Sequence, residues 1–206
     1  MARFQLEGHR VLSVALAGET VRAATGAMVA YDGQVSFKNA GMGGGEGLRG
    51  ALKRRLTGES MSLMECAGKG MVYFAQRAAD ITLIQLNADT LLVESSSLLV
   101  VDGGLRTEVK FTGLRGASTG QGLFTSAVTG QGVVAIVSDG PAVVLEVSPQ
   151  FPLIVDPDAY VASMGQLSQS FVTDISWRTA IGEGSGEPFS LRFDGTGIVY
   201  IQPAER

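Results

Sequence analysis

Cysteine and histidine are almost missing from this sequence: its 206 residues include one of each, Cys66 and His9. A lone thiol closes no internal disulfide, so a cytoplasmic location is the expectation. The same scarcity leaves too few ligands for a His/Cys metal cluster. A Ser-His-Asp or Cys-His device would have to use His9, close to the N-terminus, and no Gly-x-Ser-x-Gly elbow accompanies it. Charged residues make up only 17%, with 16 Lys/Arg against 20 Asp/Glu and a formal net charge of −4. That balance argues against nonspecific nucleic-acid binding as the main activity. Long apolar runs are missing too: no stretch of about 18 residues could form a spanning helix. Glu7, His9 and Arg10 interrupt the region where a secretory signal would be apolar.

What the chain does have is glycine and short apolar runs. It holds 28 glycines, 6 prolines and 45% apolar residues, with a mean hydropathy of +0.23. Such punctuation predicts many strands joined by tight turns in a globular domain with a sizeable core. The charge is uneven. Residues 1–115 carry 13 Lys/Arg against 11 Asp/Glu, a balance of +2, whereas residues 116–206 carry 3 against 9, or −6.

One pattern organises the chain. Gly68-Lys69-Gly70 and the strand-like runs after it recur 62 positions later without a gap. Gly68 and Gly70 fall on Gly130 and Gly132, Val72 on Val134, Leu83 on Leu145, Leu91 on Leu153 and Val93 on Val155. A third copy, Gly195-Thr196-Gly197, leads into Ile198-Val199-Tyr200-Ile201. Apolar–polar–aromatic pieces precede the three glycine-rich stretches: Val35-Ser36-Phe37, Val109-Lys110-Phe111 and Ile175-Ser176-Trp177. These matches predict one domain, 1–206, of three internal repeats, approximately 183–206 with 1–55, 56–115 and 116–182. The first copy is then split across the termini, with the first and last strands side by side to close the structure and remove free sheet edges. The Gly-x-Gly elements are expected to be structural hairpin turns, since glycine alone accepts positive φ without a Cβ penalty. A phosphate-cradling turn would need a helix after the glycines, and a β run follows each time.

Residues 41–59 break the β pattern. Leu48, Leu52 and Leu56 recur every four residues, with Gly58 just beyond. This spacing predicts a short amphipathic helix over about 46–56. Its basic residues, Arg49, Lys53, Arg54 and Arg55, suit a surface helix capping a β core. They equally suit contact with an acidic partner or an anionic membrane surface.

No residue set points to a reaction. Asp156-Pro157-Asp158 could contribute to a carboxylate cation site but lacks EF-hand spacing and reads as a turn. Trp177 and the phenylalanines occupy apolar repeat positions, and beside Trp177 only Arg178 is basic, which is poor for a nucleic-acid platform. Cys66 reads as a small core residue. Catalytic, cofactor-binding and metal-ligating residues are therefore each expected to be none, although a carboxylate pair meeting in space stays open.

Gly26-Ala27-Met28-Val29-Ala30, the run Leu52-Lys53-Arg54-Arg55-Leu56-Thr57-Gly58-Glu59-Ser60 and the later Gly-x-Gly-x-Val pieces resemble the altered-inheritance-of-mitochondria proteins over nearly the whole chain. Two departures stand out: Met61-Ser62-Leu63 where a Phe-containing run is usual, and Gly68-Lys69-Gly70 where the family has a glycine pair. The resemblance implies a fold similar to the tryptophan RNA-binding attenuation protein, with three β modules about a pseudo-threefold axis. It supplies no catalytic residues. A mitochondrial branch linked to inner-membrane organisation suggests scaffolding or membrane-associated roles.

The resulting expectation is an all-β, closed, pseudo-threefold domain of the double-stranded β-helix type with one short amphipathic helix. Its function is expected to be non-enzymatic: assembly, scaffolding or partner binding, with self-association and a protein or anionic membrane surface as partners. The alternative is a small-ligand or RNA-binding module by fold analogy, for which fold alone is a weak warrant. An enzyme is third.

Overall fold

The computed structural model of the protein describes residues 2–40, 62–112, 123–172 and 190–203. Short runs of alternating or continuous apolar residues give twelve strands. They are β1 (Arg3–Glu7), β2 (Val11–Ala24), β3 (Met28–Ala40), β4 (Leu63–Phe74), β5 (Asp80–Glu94), β6 (Leu98–Asp102), β7 (Arg106–Thr112), β8 (Leu123–Ser138), β9 (Val143–Val147), β10 (Leu153–Val155), β11 (Tyr160–Val172) and β12 (Ser190–Ile201). Single 3-10 turns at Ser95–Ser97 and Pro157–Ala159 precede β6 and β11. The all-β expectation therefore holds, as one large antiparallel sheet. The helix expected at about 46–56 lies outside the described residues.

The sheet runs β10-β12-β11-β5-β8-β6-β2-β4-β3, with β1 on β2, β7 on β8 and β9 on β12. The expected neighbourhood of the first and last strands is corrected: β1 pairs with β2, and β12 with β9, β10 and β11. The last strand finds its partners in the strands just before it rather than across the termini.

The Gly-x-Gly elements also need correction. Gly68 and Gly70 lie inside β4, Gly130 and Gly132 inside β8, Gly195 and Gly197 inside β12. None is a hairpin turn. The physical reason is backbone proximity: a Cβ on Gly68 would lie 2.1 Å from the Gln34 carbonyl oxygen, and one on Gly195 2.2 Å from that of Gln166. Glycine removes the side chain where the neighbouring strand crosses closest, and its positive φ there (140° and 119°) supplies the local kink.

Three strands repeat one bulge. Pairing slips between Met28 and Ala30 on β3, between Leu98 and Val100 on β6, and between Tyr160 and Ala162 on β11. Beyond each slip, Tyr31, Val101 and Ser163 stand opposite Val72, Val134 and Val199, each two residues past a Gly-x-Gly.

The core divides into three apolar clusters. One joins Leu12, Val21, Val72 and Phe74 to Leu99 and Val137. The second joins Leu91, Val93, Val101 and Val134 to Val161 and Tyr200. The third, with Val155, Tyr160, Leu191, Phe193 and Val199, draws only on β9 to β12 and the residues beside them.

Candidate association surface

Two places bring polar side chains together. In a cleft of about 350 Å³, the buried carboxylate of Asp80 faces His9 Nε2 at 3.6 Å and Arg10 Nε at 3.5 Å. The His9 carbonyl accepts from the Ile81 amide at 2.8 Å, so this cluster fastens the β1–β2 turn to the start of β5. His9 is largely exposed. A second cleft, of about 370 Å³, lies between Thr25, Ser62, Gln76, Arg77 and Ser95. Its hydroxyls bond mainly to the protein: Thr25 Oγ1 donates to the Ser62 carbonyl at 2.8 Å, and Ser95 Oγ lies 3.1 Å from Ser126 Oγ. Among the described residues no three His, Cys, Asp or Glu side chains gather as a metal site, and no helix is long and apolar enough to cross a membrane. Asp156 accepts from the Asp158 amide at 3.0 Å, which is the turn geometry expected of Asp-Pro-Asp.

Arg49, Lys53, Arg54, Arg55 and Trp177 fall outside the described residues. Cys66 is buried in the first cluster, and burial pushes its thiol up to about 11.

Two internal seams hold the sheet's parts together. At one, Val21, Arg22 and Ala23 of β2 pair with Asp102, Val101 and Val100 of β6. Arg22 reaches across it, donating to Thr107 Oγ1 at 2.8 Å and to the Leu105 carbonyl. Its half-burial lowers the guanidinium's pKa. At the other seam, Leu91, Leu92 and Val93 of β5 pair with Met164, Ser163 and Ala162 of β11. There the buried Tyr160 hydroxyl donates to the Leu92 carbonyl at 3.2 Å and sits 3.0 Å from Ser163 Oγ.

The corresponding residues on β3 and β10 lack such cover. Tyr31 is 51% exposed, whereas Val101 is 0% and Ser163 2%. Val29 is 57% exposed, whereas the bulged Leu99 and Val161 are fully buried. The other large apolar side chains standing in solvent are Val143 and Val144 on β9, Phe151, and Ile154 on β10. Among the described residues, every exposed large apolar side chain thus lies on β3 or on the β9–β10 segment, the two ends of the sheet. The outer edges of β3, β9 and β10 have no strand partner among the described residues. Met28-Val29-Ala30-Tyr31 and Leu153-Ile154-Val155 also carry no charge, so they lack the usual protection of a free edge.

These residues carry no warning in the sequence, because apolar runs in a β pattern read as core. The available signal was that Met28–Tyr31 is apolar at neighbouring positions, which fits a strand covered on both faces.

A model of the family described as mitochondrial biogenesis AIM24 matches residues 4–204. No curated protein matches the chain. The crystal structure of protein SPYM3_0169 from Streptococcus pyogenes superposes with a TM-score of 0.76 at 22% identity, over 100% of this chain and 94% of that one. At that identity the likeness shows the fold alone.

Proposed function

The chain belongs to the mitochondrial biogenesis AIM24 family, and on that premise we propose that it works by association rather than by catalysis, as an assembly or scaffold protein. The observation that carries this reading is the gathering of exposed apolar side chains on β3 and the β9–β10 segment, at the two ends of the sheet. Exposed apolar strands of this kind mark interaction sites in soluble proteins.

We read the chain as one domain of three successive units, 11–74, 80–138 and 143–201, rather than with one unit divided between the termini. In support, each Gly-x-Gly strand pairs with the strands that come before it: β4 with β2 and β3, β8 with β5 to β7, and β12 with β9 to β11. A closed pseudo-threefold arrangement of these units would need a third seam, between β10 and β3. The basic residues Arg49, Lys53, Arg54 and Arg55 give the assembly a second contact, to an acidic protein or an anionic membrane surface, which would make it peripheral to a membrane. The lone, buried Cys66 suits a reducing, cytoplasmic compartment.

Light scattering over a wide protein concentration range tests the reading. A mass above the 21.5 kDa of one chain is expected. A mass of one chain throughout, together with no retention on anionic vesicles, would refute association. Vesicle binding that survives changing all four basic residues to Ser would remove them from the contact.

A further inference from the structure

We infer that the free edge of β10 in one copy of the chain pairs with the free edge of β3 in a second copy, rebuilding between chains the seam that each chain contains twice. This rests on the assembly reading above and names its partner and its register.

The register follows from positions shared by the three units. Val21, Leu91 and Leu153 stand opposite Cys66, Val128 and Phe193, each two residues before a Gly-x-Gly. Tyr31, Val101 and Ser163 stand two residues past one, on the other side of the same glycine strands. In both internal seams the residue after the first set pairs with the second set: Arg22 with Val101, and Leu92 with Ser163. The remaining members are Ile154 and Tyr31, 44% and 51% exposed. They are the two halves of a third seam, with no strand on their outer edges among the described residues. Its pairs are Leu153 with Asp32, Ile154 with Tyr31 and Val155 with Ala30, antiparallel like the other two.

A second copy fits these edges better than an unrelated partner does. The two halves lie at opposite ends of one sheet path and are not paired with each other among the described residues, yet each has the backbone course of a strand already paired inside the molecule. The third apolar cluster ends at this flank without a residue from another unit, whereas the first two clusters each span a seam. Val29 of the next copy would supply to the third cluster what Leu99 and Val161 supply to the first two. Because the two halves differ, the contact is head-to-tail, so every added copy leaves one new edge free. The assembly grows in steps of one chain and ends only by closing into a ring.

Cysteine pairs test the register. Directly opposed residues on antiparallel strands have Cβ atoms about 4.5–5.5 Å apart, a spacing that a disulfide bridges with a small adjustment. Tyr31→Cys and Ile154→Cys are prepared separately, each keeping the buried Cys66. Both sites are exposed, so both variants are expected to fold. On mixing under mild oxidation, a covalent dimer is expected that neither variant forms alone, and the double variant is expected to give a ladder of covalent multiples. Wild-type light scattering separates the possible failures. Oligomers without the mixed cross-link would overturn the seam and leave the assembly reading standing. A single-chain mass at every concentration would overturn the seam, and joined with no retention on anionic vesicles it would end the assembly reading as well. An intrachain disulfide in the double variant, with no mixed dimer, would place the third seam within one chain and overturn the second copy. Cross-linking of Tyr31→Cys to itself as readily as to Ile154→Cys would overturn the head-to-tail contact.

Discussion

Gly68→Ala isolates what the repeated glycines do. Gly68 has φ +140°, and an added Cβ would sit 2.1 Å from the Gln34 carbonyl oxygen and 3.0 Å from Val35 Cα, both backbone atoms of β3. Holding alanine at such a φ costs on the order of 1–3 kcal/mol. Relieving the clash takes a shift of about 1 Å between β3 and β4, enough to break about two ladder hydrogen bonds worth about 1 kcal/mol each. The expected loss is about 3–5 kcal/mol, against a total stability of about 5–15 kcal/mol. For a chain of this size that lowers the Tm by roughly 6–20 °C. Gly130→Ala is the matched reference. It shares the motif and a positive φ of 127°, but its Cβ would meet only Leu105, at 3.3 Å from Cδ2 and an ordinary 3.9 Å from Cα. It bears the backbone strain without the backbone collision, so a loss of about 1–3 kcal/mol is expected. Thermal unfolding followed by circular dichroism, on single-chain preparations at one concentration, ranks the two. Equal Tm values would refute the claim that close approach of the neighbouring strand, rather than φ alone, demands glycine at Gly68.

Tyr160→Phe removes a buried hydroxyl that bonds the Leu92 carbonyl across the β5–β11 seam. A loss of about 1–3 kcal/mol in urea unfolding is expected, since a buried acceptor is left unsatisfied; an unchanged midpoint would mean that water reaches the seam. Cys66 should resist a thiol reagent at pH 8 in the folded protein and react once urea unfolds it, because burial raises its pKa to about 11 from an ordinary 9.0. The sign for stability follows. The neutral thiol is favoured in the fold, so its contribution is complete below about pH 9 and is lost as the pH rises through about 11. Cys66→Ala should accordingly flatten the stability profile in that window, and an unchanged slope there would contradict the assignment.

The alternation and punctuation of the sequence were enough for the strands, but not for the role of its glycines. A glycine flanking one residue between β runs is locally compatible with a hairpin. What decides otherwise is the 2.1 Å approach of Gln34, a residue 34 positions away on another strand, and no local pattern contains that distance. The lining-up of Leu91 with Leu153 was legible for a related reason: each stands opposite a strand that carries a Gly-x-Gly, at Val128 and Phe193, so the same local demand recurs. The expected pairing of the first and last strands failed because a short run such as Leu191–Phe193 carries no record of which strand it will pair with. The structure gives that strand to β10 and β11.

The candidate site is the harder case, because its residues look like core. Met28–Tyr31, Leu98–Val101 and Tyr160–Ser163 share one bulge, each beside a strand that carries a Gly-x-Gly. Two of these segments are buried throughout, by β2 in one case and β5 in the other. Composition distinguishes the third from them only slightly. A sequence can state that a strand is built to be covered on both faces, but it cannot state whether the cover lies in the same chain. The difference becomes visible only when the neighbours are counted: β2 covers β6, β5 covers β11, and the strand that should cover β3 is β10, at the far end of the sheet. An apolar, uncharged segment with the burial pattern of a core strand and the exposure of a surface strand is what an interface between copies requires. The catalytic bareness of the sequence and the openness of the sheet then share one explanation, in which the surface this chain keeps for others is a strand edge instead of a pocket.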